Sequence, residues 1–418
     1  MDIEIGYGTA PQTLQIPSKR ILDILYPNPL PAVPGESSIL KNALDHPISS
    51  APLSDLVRGK KKITVITSDI TRPMPSKRVL PVLLKELRDA GIQNSQITIV
   101  FALGSHRRHT EEEKKRLVGP DLYASIRCED SSESDFLSLG VTSMGTPVEI
   151  CRTVAQADCR ICLGNIEYHY FAGYSGGAKA IMPGVSTRAA IQANHAHMVE
   201  KNACVGRIED NPVRMDLEDA LQYCPVDFMI NVVLDEHKRI IHAVCGDIIL
   251  AHREGCRFLD RLYRKEISRL ADLVIVSQGG APKDLNLYQT QKALENARHA
   301  VRPGGIIILA GACPEGLGER VFEEWMTAGL SPDEQIARIR TDFQLGGHKA
   351  AAIAMVQKTA RIFLVSQMPQ TLVQSLHLEP FFSVQKAYEK ATELLGEDSS
   401  VLIMPFGGST LPVPAQQK

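Results

Sequence analysis

The feature that most constrains the fold is an alternation of short, β-branched apolar runs with longer amphipathic segments. The apolar runs predict strands, and the helical periodicity of the segments between them predicts helices. The predicted strands are residues 63–68, 97–103, 158–163, 228–234, 272–277, 305–310, 361–365 and 400–405. The predicted helices are residues 77–89, 111–117, 188–200, 248–263, 289–301 and 384–395. This order predicts an α/β fold with largely parallel sheets.

A chain of 418 residues is long enough for two domains, since domains usually have roughly 100 to 200 residues. Residues 240–270 are interpreted as a long charged amphipathic helix that leads into a new strand and a glycine-rich loop. We therefore predict two α/β domains, residues 1–268 and 269–396, and residues 397–418 can rejoin the first of them.

Charge and apolar patterning exclude several classes of protein. The formal net charge is −2, from 46 Lys and Arg against 48 Asp and Glu, so nothing favours nucleic acid or a membrane surface as a partner. No apolar run reaches the roughly 18 residues of a membrane helix, and no secretory signal opens the chain. Nine scattered cysteines indicate a cytoplasmic protein. Cys159 and Cys162 form a C-x-x-C, which we interpret as buried thiols, with metal binding or redox chemistry as the alternative.

Polar loops follow the first two predicted strands, where ligands of open parallel sheets bind. Residues 68–75 (SDITRPMP) include Arg72, which can clamp a carboxylate or phosphate or form an ion pair with Asp69. Residues 104–113 (GSHRRHTEEE) end in a capping box for the next helix. His106, and less strongly His109, can act as acid or base, ligate a metal or be solvated.

The loop after the third predicted strand is the densest in chemistry. Residues 164–184 (GNIEYHYFAGYSGGAKAIMPG) combine glycines, aromatic residues, a histidine and Lys179. This is not a P-loop, because Ala180 follows the lysine where a Ser or Thr should bind magnesium. A lone lysine in an apolar, glycine-rich loop should have a lowered pKa and act as a nucleophilic amine. The alternative is an ammonium group that contacts a phosphate.

Two helical segments add further candidates. His195 and His197 lie two residues apart on a predicted helix, so they point in different directions and should not bind one metal together. Gln289 and Lys292, after the strand at 272–277, share one helix face. That face is either solvated or supplies a cation for a substrate carboxylate.

In their order and spacing these motifs resemble the nickel-dependent lactate racemase family, which includes racemases and epimerases of other 2-hydroxy acids. The resemblance spans roughly residues 60 to 410 and depends on residues 69–73 (DITRP), 104–107 (GSHR), 168–184, His195 and 286–292 (NLYQTQK). It implies an isomerase that interconverts the enantiomers of a small 2-hydroxy acid, lactate or a close analogue. It also implies that the second domain closes over the substrate, with the active-site cleft between the two domains.

The resemblance also implies a cofactor, a nickel-pincer nucleotide (pyridinium-3,5-bisthiocarboxylic acid mononucleotide) that is covalently joined to Lys179. His195 would bind nickel, and His106 and His169 would be the acid–base pair on opposite faces of the substrate. Further implied cofactor contacts are Asp69, Thr71, Ser175, Gly176 and Gly177, and implied substrate contacts are Arg72, Tyr288, Gln289 and Lys292.

The implied reaction is proton-coupled hydride transfer through a 2-keto acid, and the implied partners are the enzymes of cofactor synthesis and nickel insertion. Two alternatives from other classes stay open. One is a Schiff-base lyase or aldolase that uses Lys179, and the other is a non-catalytic nucleotide- or phosphate-binding protein. The only tryptophan, Trp325, does not align with the aromatic residue that the family places near the methyl group of lactate, so other substrates also stay open.

Overall fold

A computed structural model describes residues 1–30, 32–132, 135–235 and 237–415. Within these ranges no helix is both long enough and apolar enough for a membrane crossing. The strands are β1 Asp2–Ile5, β2 Gln12–Gln15, β3 Ile21–Ile24, β4 Ile63–Ser68, β5 Ile97–Ala102, β6 Arg127–Asp130, β7 Phe136–Val141, β8 Pro147–Cys151, β9 Cys159–Asn165, β10 Tyr168–His169, β11 Gly173–Tyr174, β12 Phe228–Leu234, β13 Ile240–Gly246, β14 Arg264–Ile267, β15 Ala271–Ser277, β16 Val301–Ala310, β17 Arg361–Val365, β18 Glu379–Phe381, β19 Val401–Met404 and β20 Leu411–Pro414. The helices are α1 Glu36–Asp45, α2 Leu53–Leu56, α3 Ser76–Asp89, α4 Glu111–Val118, α5 Pro120–Ser125, α6 Arg152–Ala155, α7 Arg188–Ala196, α8 Pro212–Asp219, α9 Leu250–Tyr263, α10 Leu287–Ala297, α11 Arg320–Met326, α12 Pro332–Thr341, α13 Gly347–Gln357, α14 Gln370–Ser375 and α15 Val384–Leu395.

The chain divides into two compact units, and the division differs from the predicted domains 1–268 and 269–396. The middle unit is Leu30–Asp260, and the terminal unit combines Met1–Pro29 with the chain from Arg261 onward. The reason is strand pairing at both chain ends. Strand β3 pairs in parallel with β19, and β14 pairs in parallel with β20. The first residues therefore belong with the last ones, and the segment after residue 397 completes the terminal unit instead of rejoining the first predicted domain.

The middle unit contains a six-stranded sheet in the order β13-β12-β9-β4-β5-β6. All pairs are parallel except β12–β13. The runs that form β4, β9 and β12 are almost completely buried, as expected for strands covered on both faces. From β4 the chain first adds β5 and β6 on one side and later returns to add β9 and β12 on the other. The carboxyl ends of β4 and β9 thus meet at a switch point, where α/β sheets bind ligands.

One secondary-structure prediction in the middle unit was wrong. Residues 240–270 do not form one long helix, because Ile240–Gly246 is strand β13 and the helix begins only at Leu250. Antiparallel pairing with β12 uses the apolar run Ile240–Gly246, and helical periodicity begins after it.

The terminal unit has its own six-stranded sheet, in the order β18-β17-β16-β15-β19-β3. Every pair in it is parallel, so both units confirm the predicted α/β class with largely parallel sheets. Helix α15 packs Val384, Ala387 and Ala391 into the core beside the inner residues of β15 and β16. Helix α10 follows β15 and carries three of the four predicted substrate contacts, Tyr288, Gln289 and Lys292.

Cys159 and Cys162 lie in β9 with no exposed surface, and neither forms a disulfide. Burial raises the pKa of the Cys159 thiol to about 12, which keeps it protonated and unreactive. The interpretation of this C-x-x-C as buried thiols is confirmed.

A histidine beside α10 should make the protein sensitive to acid. Burial, with Arg298 contributing, lowers the pKa of His299 from 6.5 to about 3, and its Nε2 has no hydrogen-bond partner among the described residues. Below pH 6.5 the unfolded chain binds a proton that the folded chain does not. The free energy of unfolding therefore decreases as the pH is lowered, down to about pH 3. Between pH 7.5 and pH 5 this histidine should lower the free energy of unfolding by about 2 kcal/mol, and we expect His299→Leu to remove that decrease. Urea denaturation at the two pH values measures this, and a loss in His299→Leu as large as that in the wild type would contradict it.

Candidate active site

The loops after β4 and β5 hold a carboxylate–histidine pair. His106 Nδ1 lies 2.5 Å from Asp69 Oδ2, and the Thr71 hydroxyl donates to the same carboxylate at 3.0 Å. Because a carboxylate only accepts, the His106 ring carries a proton on Nδ1 and can exchange a proton through Nε2. Asp69 therefore pairs with His106, and the alternative of an Asp69–Arg72 ion pair is wrong. The Arg72 side chain is exposed and pairs with none of the carboxylates in the described ranges.

His109 has a different role, because both of its ring nitrogens are used within the fold. Nδ1–H donates to Asp130 at 2.6 Å, and Nε2 accepts the Ile70 N–H at 3.0 Å. The backbone N–H of His109 also donates to Asp130. This buried residue ties the loop after β4 to the end of β6, so it positions Asp69 and Arg72 and is not itself an acid or base.

Three of the predicted site residues contact one aromatic ring in the loop after β9. The ring of Phe171 lies 4.5 Å from that of His169 and 4.9 Å from that of His195, centroid to centroid. Lys179 Nζ lies 5.8 Å from the same ring. Phe171 occupies the turn between β10 and β11, which pair as a short hairpin. The structure thus brings His169, Lys179 and His195 together although 26 positions separate the first from the last.

Two side chains of this cluster, Lys179 and His169, have lowered pKa values. Desolvation lowers the pKa of Lys179 well below its usual value, and the nearby Arg214 and Arg72 lower it further. None of the described carboxylates forms an ion pair with the Lys179 amine, so the predicted low-pKa lysine is confirmed. The pKa of His169 is also lowered well below its usual value, by burial and then by Lys179 and Arg72. At neutral pH His169 is therefore uncharged, and the Ala172 N–H orients its ring through Nδ1 at 3.3 Å.

His195 lies at the end of α7 with its ring direction set by a neighbour. Its Nδ1 lies 2.9 Å from Asn194 Oδ1, and the amide of Asn194 is itself held by the Val213 carbonyl and by Asp216. Since Asn194 presents its oxygen, His195 carries its proton on Nδ1 and has its acceptor lone pair on Nε2. His197 faces elsewhere and pairs with Glu200. No group of three or more His, Cys, Asp or Glu side chains in the described ranges is arranged to hold a metal.

Groups from distant parts of the middle unit hold the glycine-rich loop. Arg214 of α8 is fully buried and donates to the carbonyls of Ala172 and Tyr174. Asp260 accepts the hydroxyls of Tyr168 and Tyr174 at 2.8 and 2.7 Å. Sequence reasoning missed these residues, as it missed Phe171. Arg214 and Asp260 lie far from the loop in sequence, and neither belongs to a motif.

The predicted cofactor contacts Ser175, Gly176 and Gly177 mainly hold this loop together. The Ser175 hydroxyl donates to the Asn165 carbonyl at 2.7 Å and accepts the Glu167 N–H. His252 donates to the Ser175 carbonyl, and Asn231 accepts the Gly177 N–H at 2.8 Å. Gly176 has φ 74°, and a Cβ there would lie 2.4 Å from Asn231 Oδ1, so only glycine fits. Cofactor binding by these three residues stays a prediction.

Removing the buried arginine tests the importance of this support. Arg214→Met would leave the carbonyls of Ala172 and Tyr174 without their donor, so we expect a loss of about 3 kcal/mol in the free energy of unfolding. Arg257→Met on α9 is the control, because that side chain is 63% exposed and pairs only with Glu254 among the described residues. The control should change stability by less than about 0.5 kcal/mol. Equal unfolding midpoints for the two variants in urea would contradict this role of Arg214.

The other predicted substrate contacts lie on α10 of the terminal unit. Asn286 caps this helix, and its side chain accepts the Gln289 N–H at 3.1 Å. Gln289 and Lys292 are exposed on the helix, and Tyr288 is half-buried. Substrate binding by these three residues stays a prediction.

Both units match known protein families. The lactate racemase N-terminal domain matches residues 7–206, and the lactate racemase C-terminal domain matches residues 267–411. Lactate racemase of Thermoanaerobacterium thermosaccharolyticum is 33% identical over 98% of this chain and 99% of its own. Lactate racemase of Lactiplantibacillus plantarum is 32% identical over 89% and 90%.

Solved structures agree. The lactate racemase apoprotein of T. thermosaccharolyticum superposes with a TM-score of 0.89 at 32% identity, over 99% of this chain and all of that one. A Thermotoga maritima protein with a TM-score of 0.60 shares the fold at 18% identity, over 92% of this chain and all of that one. The fold, the histidine and lysine cluster and these matches define an enzyme of the isomerase class, a racemase. Within that class, the chain belongs to the lactate racemase family.

Proposed function

We propose that this enzyme racemises a small 2-hydroxy acid, lactate or a close analogue, with a nickel-pincer nucleotide joined to Lys179. The observation that carries the proposal is the Phe171 cluster, in which a low-pKa lysine amine lies beside His169 and His195. Support also comes from the two lactate racemase relatives, and from the description of one solved relative as an apoprotein, a protein without its cofactor.

The residues present fit such a cofactor. An amine of lowered pKa is nucleophilic at neutral pH, as a covalent link to a carbonyl or thiocarbonyl carbon requires. His195 offers one nitrogen donor, and the described residues supply no second and third ligand beside it. A metal at His195 would therefore depend on donors of the bound cofactor, which a pincer ligand provides. Lys179 and His195 would hold the group, and when bound it would accept a hydride from the substrate carbon and return it.

Side chains of the protein would transfer the protons and bind the substrate carboxylate. Removing hydride from the substrate carbon must be accompanied by loss of the hydroxyl proton, and the reverse step must return one. Asp69 holds a proton on Nδ1 of His106, which leaves the lone pair on Nε2, whereas burial and nearby cations keep His169 neutral and its Nδ1 accepts the Ala172 N–H, so its proton is on Nε2. The His106 ring is thus suited to take a proton and the His169 ring to give one, and the two exchange roles for the opposite enantiomer.

Arg72 would hold the substrate carboxylate while the flat 2-keto acid turns its other face. Its side chain has no carboxylate partner among the described residues, and a guanidinium binds a carboxylate through two parallel hydrogen bonds. The Pro73 and Pro75 that follow it restrict the loop. Retention by Arg72 would prevent release of the keto acid before the second transfer.

The test uses protein produced together with the cofactor-synthesis and nickel-insertion enzymes, which we propose as its cellular partners. The loaded enzyme should convert either pure enantiomer of lactate, or of another 2-hydroxy acid, to the same mixture, as followed by chiral chromatography. Nickel-free protein that racemises equally well would refute the proposal. Protein trapped on Lys179 by borohydride with a keto acid, without racemisation, would instead favour the Schiff-base lyase.

A further inference from the structure

A buried carboxylate in the middle unit, Asp216, has no part in the proposed function. It lies in helix α8 and has no exposed surface. It accepts the hydroxyls of Thr142 and Thr146, the latter at 2.7 Å, and the side-chain amide of Asn194 at 2.8 Å. All three donors are neutral, and no Lys, Arg or His in the described ranges forms an ion pair with this carboxylate. A charge buried without a counter-ion is costly, and a neutral side chain could fill the same space.

The two threonines donate from the turn that joins β7 to β8, and both are buried. The Thr142 hydroxyl oxygen accepts the Thr146 N–H at 3.0 Å, which leaves its hydrogen for Asp216. With two hydroxyls and one amide as donors, both oxygens of Asp216 are used as acceptors. The network thus fits an ionised carboxylate, which has no hydrogen to donate.

Asn194 joins this carboxylate to His195 and is completely buried. Its Nδ2 donates to Asp216 and to the Val213 carbonyl at 3.1 Å, and its Oδ1 lies 2.9 Å from Nδ1 of His195. A rotated amide would place Oδ1 against a carboxylate and a carbonyl, two groups that only accept hydrogen bonds, so both contacts would be repulsive. The two acceptors therefore allow one orientation of the amide, in which Nδ1 of His195 carries the proton.

We propose that Asp216 is a positioning residue for His195: it fixes the ring proton on Nδ1 and leaves Nε2 as the nitrogen that binds a metal. The carboxylate orients the Asn194 amide, and the amide oxygen in turn holds the His195 proton. The inference rests on the proposed function, in which His195 binds nickel. The turn between β7 and β8 takes part through Thr142 and Thr146, which hold Asp216 in place.

The ring nitrogens of His195 report the position of the proton without cofactor or metal. In the full chain labelled with ¹⁵N-histidine, the ¹⁵N shifts distinguish a protonated ring nitrogen from one with a lone pair, and His195→Gln identifies the His195 signals. At about pH 8, where an ordinary histidine is neutral, we expect the proton on Nδ1 in the wild type. Asp216→Asn supplies a donor where only an acceptor stood. The Asn194 amide can then rotate, and the proton should move in part to Nε2.

Two further variants control for loss of structure. Asp219→Asn makes the same change on the same helix. Asp219 accepts the Ser143 N–H of the same turn at 2.6 Å, and none of its hydrogen bonds in the described ranges reaches Asn194. This variant should keep the proton on Nδ1. The exchange of Asn194→Asp with Asp216→Asn keeps one carboxylate and one amide in the network. Because the carboxylate next to His195 can then only accept, the exchange should return the proton to Nδ1.

Nickel retention links the ring proton to the cofactor. In protein loaded with cofactor and nickel, competition with a chelator should show nickel bound about 10- to 100-fold more weakly by Asp216→Asn than by the wild type or Asp219→Asn. A wild-type proton on Nε2, an unchanged proton position in Asp216→Asn, or a proton on Nε2 in the exchange variant would overturn the inference. Equal nickel retention in Asp216→Asn would also overturn it. If the loaded wild type binds no nickel, the proposed function fails, whereas the ¹⁵N shifts still decide which nitrogen Asp216 selects.

Discussion

Lys179→Ala should abolish both cofactor attachment and racemisation. The Phe171 cluster contains one primary amine, that of Lys179, and its pKa is lowered, so neither histidine of the cluster can replace it in an amine link. We expect intact-mass spectra of the variant, produced with the cofactor-synthesis enzymes, to lack the adduct. Racemisation should fall by at least about 10⁴-fold, to background.

Lys179→Arg separates a covalent role from an ionic one. If Lys179 only contacted a phosphate, arginine would preserve the positive charge and much of the activity. We expect Lys179→Arg to be as inactive as the alanine variant, with no adduct. Lys201→Ala, an exposed lysine of the same unit, should retain the adduct and the activity. Adduct-free Lys179→Ala that still racemises would disprove covalent attachment.

Replacing either proposed acid–base histidine should stop racemisation without releasing the cofactor. His106→Ala and His169→Ala each remove one of the two proton carriers, so kcat for either starting enantiomer should fall by about 10² to 10⁴-fold. The mass of the Lys179 adduct should stay the same, because neither histidine makes that link. His197→Gln is the control, since His197 pairs with Glu200 outside the cluster. Rapid turnover by either alanine variant would contradict the two-histidine scheme.

Asp69→Asn tests whether the Asp69 carboxylate contributes to catalysis by orienting His106. The carboxylate orients His106 without being placed at the substrate, so its loss should lower kcat mainly and KM little. Because an amide can also donate to Nδ1, the variant permits the wrong ring tautomer. A KM effect alone would place Asp69 in substrate binding instead.

Sequence patterns predicted the local parts of this molecule well. Strands β4, β12 and β17 have the predicted bounds, because each is a short and almost completely buried run that is recognisable without reference to other segments. The capping box of Thr110 and Glu113 is confirmed for the same reason. Local motifs also indicated the low pKa of Lys179.

Long-range pairing accounts for what the sequence did not predict. Strand β13 resembles the start of an amphipathic helix until its pairing with β12 is known. His109 had the same alternatives as His106, and only contacts with Asp130 and Ile70 show that it holds a loop. Arg214 and Asp260 show no local pattern, because their partners lie about 40 and about 90 residues away in the chain.

The pairing of β3 with β19 has a consequence for synthesis. Residues 21–24 leave the ribosome long before residues 401–404, their partners. Strand β3 must therefore wait unpaired while the whole of Leu30–Asp260 is made, and the latter can complete its own sheet in that time. Strand β3 can join its sheet only after β19 has been synthesised. A ribosome that stalls before residue 401 would thus leave a complete middle unit with β3 still unpaired.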